Sequence, residues 1–274
     1  VNCCAVIPVY NHPAVLPELV ATLRRHQLPV ILVNDGSNAA CSALLRELAG
    51  GDSAVTLVEH PRNRGKGGAV KSGLRAAARG GFTHVLQIDA DGQHNTDDIE
   101  HLLTLARRHP DALVAAVPRY DNAPALRYYG RYLTHVWVWI HTLSLDISDA
   151  LCGFRVYPLA ATLAIIDCDH TGDRMDFDPE ILVRLHWAGV PVVELPSRVC
   201  YPADGVSHFR GLHDNALISW AHTRLFFGML RRLPQLLWRR VAGGQRRQNP
   251  APEQQVSEQH TPAQHTNAKQ APHD

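Results

Sequence analysis

The sequence predicts an α/β fold with a mostly parallel central sheet covered by helices on both faces. Two observations carry that expectation. Short apolar runs bounded by turn residues recur at residues 4–8, 30–33, 55–58, 85–88 and 112–117. Helix-like stretches lie between them, at 15–26, 40–49, 68–79 and 96–108, so each run reads as a buried strand and each stretch as the crossover covering it. A chain of 274 residues, 45% apolar and 19% charged, is long enough to bury one sizeable core.

Composition narrows the function classes. With 27 Lys and Arg against 26 Asp and Glu, the molecule carries no nucleic-acid-like field, and nucleic acid is not an expected partner. Six cysteines, none in a CxxC pair, read as reduced core thiols and not as a disulfide or zinc framework. The chain opens on a strand-like apolar run instead of a basic stretch and a cleavable apolar segment, so a cytoplasmic location is expected. The apolar stretch 133–145 is interrupted by His135 and His141 and falls short of the roughly 18 residues that span a bilayer, so no transmembrane helix is expected.

In open parallel sheets, ligands bind beyond the carboxyl ends of the strands. The polar motifs here sit just after predicted strands: Asn11, then Asp35-Gly36-Ser37, then the loop 63–66, then the loop 89–93. They are therefore expected to converge on one crevice. Asp89-Ala90-Asp91 puts two carboxylates on one side of an extended segment, with Gln93 at the next alternate position. Oxygen ligands so arranged suit Mg²⁺ or Mn²⁺, with positions left open for a substrate diphosphate. A DxD by itself also reads as a solvated acidic turn. Gly65-Lys66-Gly67-Gly68 leads into a helix, whose first amide groups can face an anion while Lys66 adds a point charge. The order of its residues differs from a Walker A loop.

Taken together, Ile7-Pro8-Val9-Tyr10-Asn11, Val33-Asn34-Asp35-Gly36-Ser37, Asn63-Arg64-Gly65-Lys66-Gly67-Gly68 and the DxD resemble glycosyltransferase family 2, within it the branch of dolichol-phosphate mannose and glucose synthases. Cys152-Gly153-Phe154-Arg155-Val156-Tyr157, Phe177-Asp178-Pro179-Glu180-Ile181-Leu182, and Tyr201-Pro202 with Gly205-Val206-Ser207-His208-Phe209-Arg210 extend the resemblance over residues 4–212. The resemblance implies a GT-A fold and inverting transfer from a nucleotide sugar, a UDP- or GDP-sugar. It implies that Pro8, Tyr10, Asn11, Asp35 and Ser37 line the base and ribose pocket, that Asn63, Lys66 and Asp89 complete the donor site, and that Asp89, Asp91 and Gln93 hold the metal.

The acceptor decides what else is needed, because a hydroxyl must lose its proton as it attacks whereas a phosphate is already anionic. For a hydroxyl, Asp178 is the expected base: it lies among Asp176 and Glu180, just before the helix-like 181–187, where mutual repulsion can raise one pKa. Carboxylates at a helix start also serve as caps. For a phosphate, Arg119, Arg127, Arg131 and Arg155 with the segment 207–210 form the expected cationic set. Position 131 departs from the resemblance, which implies a small hydroxyl residue there. Tyr128, Tyr129, Tyr132, Trp137 and Trp139 either guide a lipid tail or fill a core.

The sequence thus divides into a catalytic domain (1–215), a basic and aromatic helical segment (216–241) and a polar tail without periodicity (242–274), read as disordered. The middle segment is expected to form one or two amphipathic helices broken near Pro234, either lying on a membrane with arginines toward anionic headgroups or packing on the domain or a second copy. The leading reading is transfer of a hexose to a lipid acceptor, a polyprenyl phosphate, at the cytoplasmic face of a membrane. A lipid or polyene hydroxyl is the second acceptor. A membrane-associated sugar-nucleotide binder without turnover is the non-catalytic alternative.

Overall fold

The computed structural model describes residues 1–119, 125–199 and 211–242. Its strands are β1 (Cys3–Val9), β2 (Val30–Asn34), β3 (Val55–Glu59), β4 (His84–Gln87), β5 (Leu113–Arg119), β6 (Arg155–Pro158) and β7 (Val192–Arg198). They form one sheet in the order β3-β2-β1-β4-β6-β5-β7. All neighbouring pairs are parallel except those of β6, which runs antiparallel to β4 and β5. The helices are α1 (Leu16–Arg25), α2 (Ala39–Gly51), α3 (Lys66–Arg79), α4 (Ile99–Arg108), α5 (Ala125–Thr142), α6 (Leu159–Cys168), α7 (Phe177–Ala188) and α8 (Gly211–Ala242).

Strand alternation divides the core in two. In β1, Ala5, Ile7 and Val9 point into a core shared with α1, α2 and α4, while Cys4 and Val6 point into a second core with α3, α6, α7 and α8. Such strands are covered on both sides, which is why they read as unbroken apolar runs. Local signals set the helix ends. Asn38 caps α2 by accepting the Cys41 N–H at 2.9 Å. Gly189, at φ 86°, ends α7 in the left-handed conformation that glycine adopts at least cost. The stretch expected to start a helix at Thr96 opens instead with a single 3-10 turn (Thr96–Asp98), because the Asn95 side chain accepts the Asp97 N–H at 3.2 Å.

The C-terminal segment differs from the sequence expectation in running unbroken, and it takes the second of the two placements expected, packing on the domain. It is one helix that continues through Pro234, with Leu225 and Met229 before the proline and Leu236 beyond it buried in the second core. Three of the arginines expected to face headgroups turn inward. Arg224 donates to Glu180 Oε2 at 2.9 Å, Arg232 lies 4.7 Å over the Trp187 ring, and Arg239 donates to the Trp187 carbonyl at 2.9 Å. The cause is local: Glu180 is fully buried and needs cationic partners, and the last carbonyls of α7 need donors. Its exposed residues include the large apolar Trp220, Phe227, Leu230, Leu237 and Trp238, interspersed with polar ones such as Thr223, Arg231 and Gln235. Its neighbour α5 exposes Tyr132, Leu133, Trp137 and Ile140. Trp139 instead turns its indole N–H to the Ile147 carbonyl at 2.8 Å, and the Tyr128 and Tyr129 side chains lie outside the described residues. Among the described residues no helix is long and apolar enough to cross a membrane. The described cysteines are free; Cys4, Cys41 and Cys152 are buried core thiols, whereas Cys3 is half-buried and Cys168 is exposed, and Cys200 and the tail from 243 lie outside the described residues.

Candidate active site

The strand order reverses between β1 and β4, since β2 and β3 extend to one side of β1 and the rest of the sheet to the other. A crevice opens beyond the carboxyl ends of strands at such a switch point. The loops that border it are stitched to one another by side-chain bonds. Asn11, held at φ 55°, accepts the Asn38 N–H on its side chain at 2.8 Å, and the Asn11 N–H donates to Ser37 Oγ at 3.1 Å. Gly36, at φ 71°, lets the backbone of Arg62 and Asn63 approach so closely that an added Cβ would lie 2.5 Å from them. Pro8 and Tyr10 are half-buried at the end of β1.

Asp35, expected to line the ribose pocket, has its carboxylate engaged by the protein's own donors. It is 2% exposed, and its oxygens accept the Arg64 N–H at 2.9 Å, the Gly65 N–H at 2.8 Å and His60 Nδ1 at 2.8 Å. A buried carboxylate needs donors, and the backbone of the next loop supplies them. Asp35 therefore fastens the Asn63–Gly68 loop to the end of β2, and half-buried Asn63 sits within that loop. The loop carries Lys66 to the centre of the crevice, where its ammonium lies 2.7 Å from Asp89 Oδ2 and 2.8 Å from Asp178 Oδ2. Burial opposes the charge on Lys66, but Asp178 and Asp89 outweigh it and raise its pKa above the usual lysine range. Asp89 is likewise penalised by burial, yet Lys66 and His94 hold its carboxyl well below the usual carboxylate range. Asp91 shifts the other way: burial, then the charge of Asp89, raises it.

The DxD segment does not stay extended. After Asp89 the chain turns at Ala90-Asp91, with Gly92 at φ 70°, and Asp91 Oδ1 accepts the Gln93 N–H at 3.1 Å. The alternation that would have put Gln93 beside the two carboxylates is therefore lost. Among the described residues no three His, Cys, Asp or Glu side chains gather into a metal-holding cluster. Asp89 Oδ1 is nevertheless buried without a hydrogen-bond partner, as is Gln87 Oε1 beneath it.

The acidic cluster expected around residue 178 is dispersed. Asp178 lies within the first turn of α7, not before a helix, and faces Lys66 and Gln87, whose Nε2 is 3.4 Å away. Glu180 turns to Arg184 and Arg224, and Asp176 accepts the Arg174 N–H at 3.1 Å. Asp176 is raised by burial first, with Glu180 a smaller cause, so mutual repulsion is not the leading effect. The cationic set is dispersed too. Arg155 is fully buried under the site, donating to the carbonyls of Asp178 and Ala150 at 2.9 and 2.8 Å. Arg131 pairs with Asp149 at 2.6 Å. Arg119 is exposed at the carboxyl end of β5, on the same rim as the DxD. The side chain of Arg127 and the whole segment 200–210, with His208, lie outside the described residues.

The sequence singles out neither His94 nor His60, and Gly153 only within a motif. His94 stacks on Phe154 with ring centroids 5.1 Å apart and brings Nε2 to 3.7 Å from Asp89; burial disfavours its charged form, but Asp89 and Cys152 lift it to about 10. Gly153 touches the charged centre directly: an added Cβ would lie 2.7 Å from both Asp89 Oδ2 and Lys66 Nζ. His60 lies between Asp35 and Ser72. His94 directly follows the DxD loop, and His60 directly follows a strand as the other motifs do. Position after a strand was the signal available for both.

An open α/β sheet with an acidic turn, a half-buried lysine and a glycine-walled crevice at its switch point has the form of a ligand-binding domain. The family follows from comparison. Residues 4–166 match the model of Glycosyl transferase family 2, more than half of the chain, and the chain belongs to that family. It is 28% identical over 213 residues to a dolichyl-phosphate beta-glucosyltransferase of Trichomonas vaginalis, covering 70% of this chain but 61% of that protein. It is 28% identical over 198 residues to the undecaprenyl-phosphate mannosyltransferase of Micrococcus luteus, covering 70% of this chain and 80% of that protein. Among solved structures it is similar to glucosyl-3-phosphoglycerate synthase of Mycobacterium tuberculosis, with TM-score 0.62 at 14% identity over 83% of this chain and 78% of that one. The fold is thus the GT-A type that the sequence implied.

Proposed function

We propose that the protein transfers a hexose from a UDP- or GDP-sugar to a polyprenyl phosphate at a membrane surface, with Mg²⁺ or Mn²⁺ at Asp89 and Asp91. The observation that carries this reading is the unpartnered, buried Asp89 Oδ1 beside the Lys66 ammonium at the switch point of the sheet. All-oxygen donors suit a hard divalent ion, and two carboxylates leave its remaining positions to a diphosphate and water. A metal bound there supplies Lewis-acid stabilisation of the departing nucleoside diphosphate. Lys66 places a second positive charge on the same leaving group from the first position of α3, where the flanking Gly65 and Gly68 N–H groups are already taken by Asp35 and Asp173. As an acceptor oxygen attacks the anomeric carbon from the far face, the bond to the diphosphate breaks and configuration inverts.

Two observations favour a phosphate over a hydroxyl acceptor. The oxygens of Asp178 are taken up by Lys66 and Gln87, so neither reaches an acceptor hydroxyl without giving up a partner. The names of the similar proteins specify dolichyl-phosphate and undecaprenyl-phosphate. Arg119 on the rim, with Arg127, is the cationic pair proposed to receive the acceptor phosphate. Incubating the protein with UDP- and GDP-sugars, a polyprenyl phosphate and Mn²⁺ tests the reading. Wild type is expected to form a sugar-lipid product and Asp91→Ala to lose it by ~10²-fold or more. Product that persists undiminished in EDTA or in Asp91→Ala overturns the metal assignment.

The exposed aromatic faces of α5 and α8 are proposed to bring the crevice to the lipid. Deleting α8 is a poor test, since it would uncover Leu225 and Met229 of the core. A Trp220→Ser/Phe227→Ser/Trp238→Ser variant leaves the core intact. It is expected to lose most sedimentation with phospholipid vesicles while keeping its melting temperature, and unchanged sedimentation counts against membrane docking.

A further inference from the structure

The mechanism proposed above makes no use of His60, although it is among the most closely bonded side chains near the crevice. It is 8% exposed and sits between two partners at hydrogen-bond distance, Asp35 Oδ1 at 2.8 Å from Nδ1 and Ser72 Oγ at 2.9 Å from Nε2. An ionised carboxylate only accepts, so the Asp35 contact requires the proton on Nδ1; in the neutral ring Nε2 then accepts from the Ser72 hydroxyl. Each group comes from a different part of the fold: Asp35 directly follows β2, His60 directly follows β3 and Ser72 lies on α3.

The consequences run toward the reacting centre. Asp35 spends its remaining capacity on two consecutive amides, Arg64 N–H and Gly65 N–H, immediately before Lys66. Gly65, at φ 95°, is packed against the backbone of Asp173, and the Gly68 N–H donates to the Asp173 carbonyl at 2.8 Å, so the turn is held on its other side as well. The loop is thereby fixed from both ends, and the Lys66 ammonium falls between Asp89 and Asp178. Without the Nδ1–H donor, a buried carboxylate would lose one of its three partners. It could recover one only by rotating away from the loop amides or by drawing in water.

We infer that His60 is a positioning residue for the donor diphosphate: as the Nδ1–H tautomer it aims Asp35 at the Arg64-Gly65 amides and so sets the reach of Lys66. Ser72 selects that tautomer by donating to Nε2. This inference rests on the reading of the crevice as a nucleotide-sugar site, but its spectroscopic arm does not. In ¹⁵N-histidine protein near neutral pH, His60 is expected to show a protonated Nδ1 and a bare Nε2. A protonated Nε2 with a bare Nδ1 overturns the inference whatever the protein binds.

Isosteric substitution supplies the second arm. In His60→Asn the amide nitrogen falls close to the place of Nδ1 and can still donate to Asp35. In His60→Gln it falls close to the place of Nε2 and cannot. Affinity for UDP and GDP in the presence of Mn²⁺ is expected to fall about tenfold or more in His60→Gln and His60→Ala, and by less than about threefold in His60→Asn. Losses that are equal in His60→Asn and His60→Gln, or that simply follow the melting temperatures of the variants, show a merely structural histidine. Wild-type protein that binds neither diphosphate argues against the nucleotide-sugar reading itself, leaving the tautomer measurement to decide the role of His60.

Discussion

Lys66→Met is expected to remove nearly all transfer activity, by about 10²- to 10³-fold, as losing one preorganised donor to a developing negative charge commonly does. The same substitution keeps the apolar stem and deletes the charge, so Asp89 and Asp178 are left facing one another with no cation between them. Breaking a buried pair this way costs about 3 kcal/mol, at the low end of the usual range because Lys66 and Asp89 retain some solvent contact. The pH dependence is a separate signature. Asp89 has a depressed pKa in the folded protein, so its stabilisation is present above its unfolded value of 3.8 and is lost as pH falls through the folded value. Lys66 has a raised pKa, so its contribution is complete below its unfolded value of 10.5 and is lost only as pH rises through the folded one. The stability gap between wild type and Lys66→Met should therefore be flat from about pH 5 to 9 and close in acid. Denaturant melts across that range check it; a gap that widens below pH 4 contradicts the pairing.

Gly153→Ala tests the same centre from the other wall. One methyl group would stand 2.7 Å from Asp89 Oδ2 and Lys66 Nζ and 2.8 Å from Gln87 Nε2, so the charged groups or the 152–154 backbone must shift. Displacements on the order of 1 Å in a reacting centre cost about 10²-fold in rate. Turnover is expected to fall by that order, with a melting temperature lowered by only a few degrees, since the clash involves side-chain ends and not packed backbone. Full activity in Gly153→Ala means that the centre has slack the geometry does not show.

How far these features were legible in the sequence depended on whether a residue's role was local. The apolar runs gave five strands and the intervening stretches four helices, with ends displaced by no more than three residues, because burial on both faces leaves an unmistakable pattern. β6 and β7 carried no such signal. The first is four residues long and begins with Arg155, whose burial is made tolerable by two backbone carbonyls from distant segments. The second contains Pro196, acceptable because β7 is an edge strand.

At the candidate site, the convergence of loops after strands followed from topology, but the direction of each side chain did not. Asp35 and Arg155 have the composition of a binding pocket and spend themselves on backbone; Arg131 does the same on Asp149. That choice depends on which donors and acceptors tertiary structure leaves over, and spacing along the chain does not encode it. Gln93 was placed by alternation carried past Asp91, whereas the chain turns at Gly92.

The reversed direction of β6 has one more result. Being antiparallel to β4, it enters the rim at its start, pairing Arg155 with Gln87, so the chain reaches the charged centre from outside and descends into the sheet. The approach is anchored by Asp149, whose Oδ1 takes the amides of Leu151 and Cys152 at 2.9 and 2.7 Å. Upstream of that mooring the path from α5 is tied to other neighbours, Ile147 to Trp139 and Ser148 to Glu194, and not to the charged centre. Downstream, from Leu151 to Arg155, a single inserted residue would carry Gly153 out of register with Asp89.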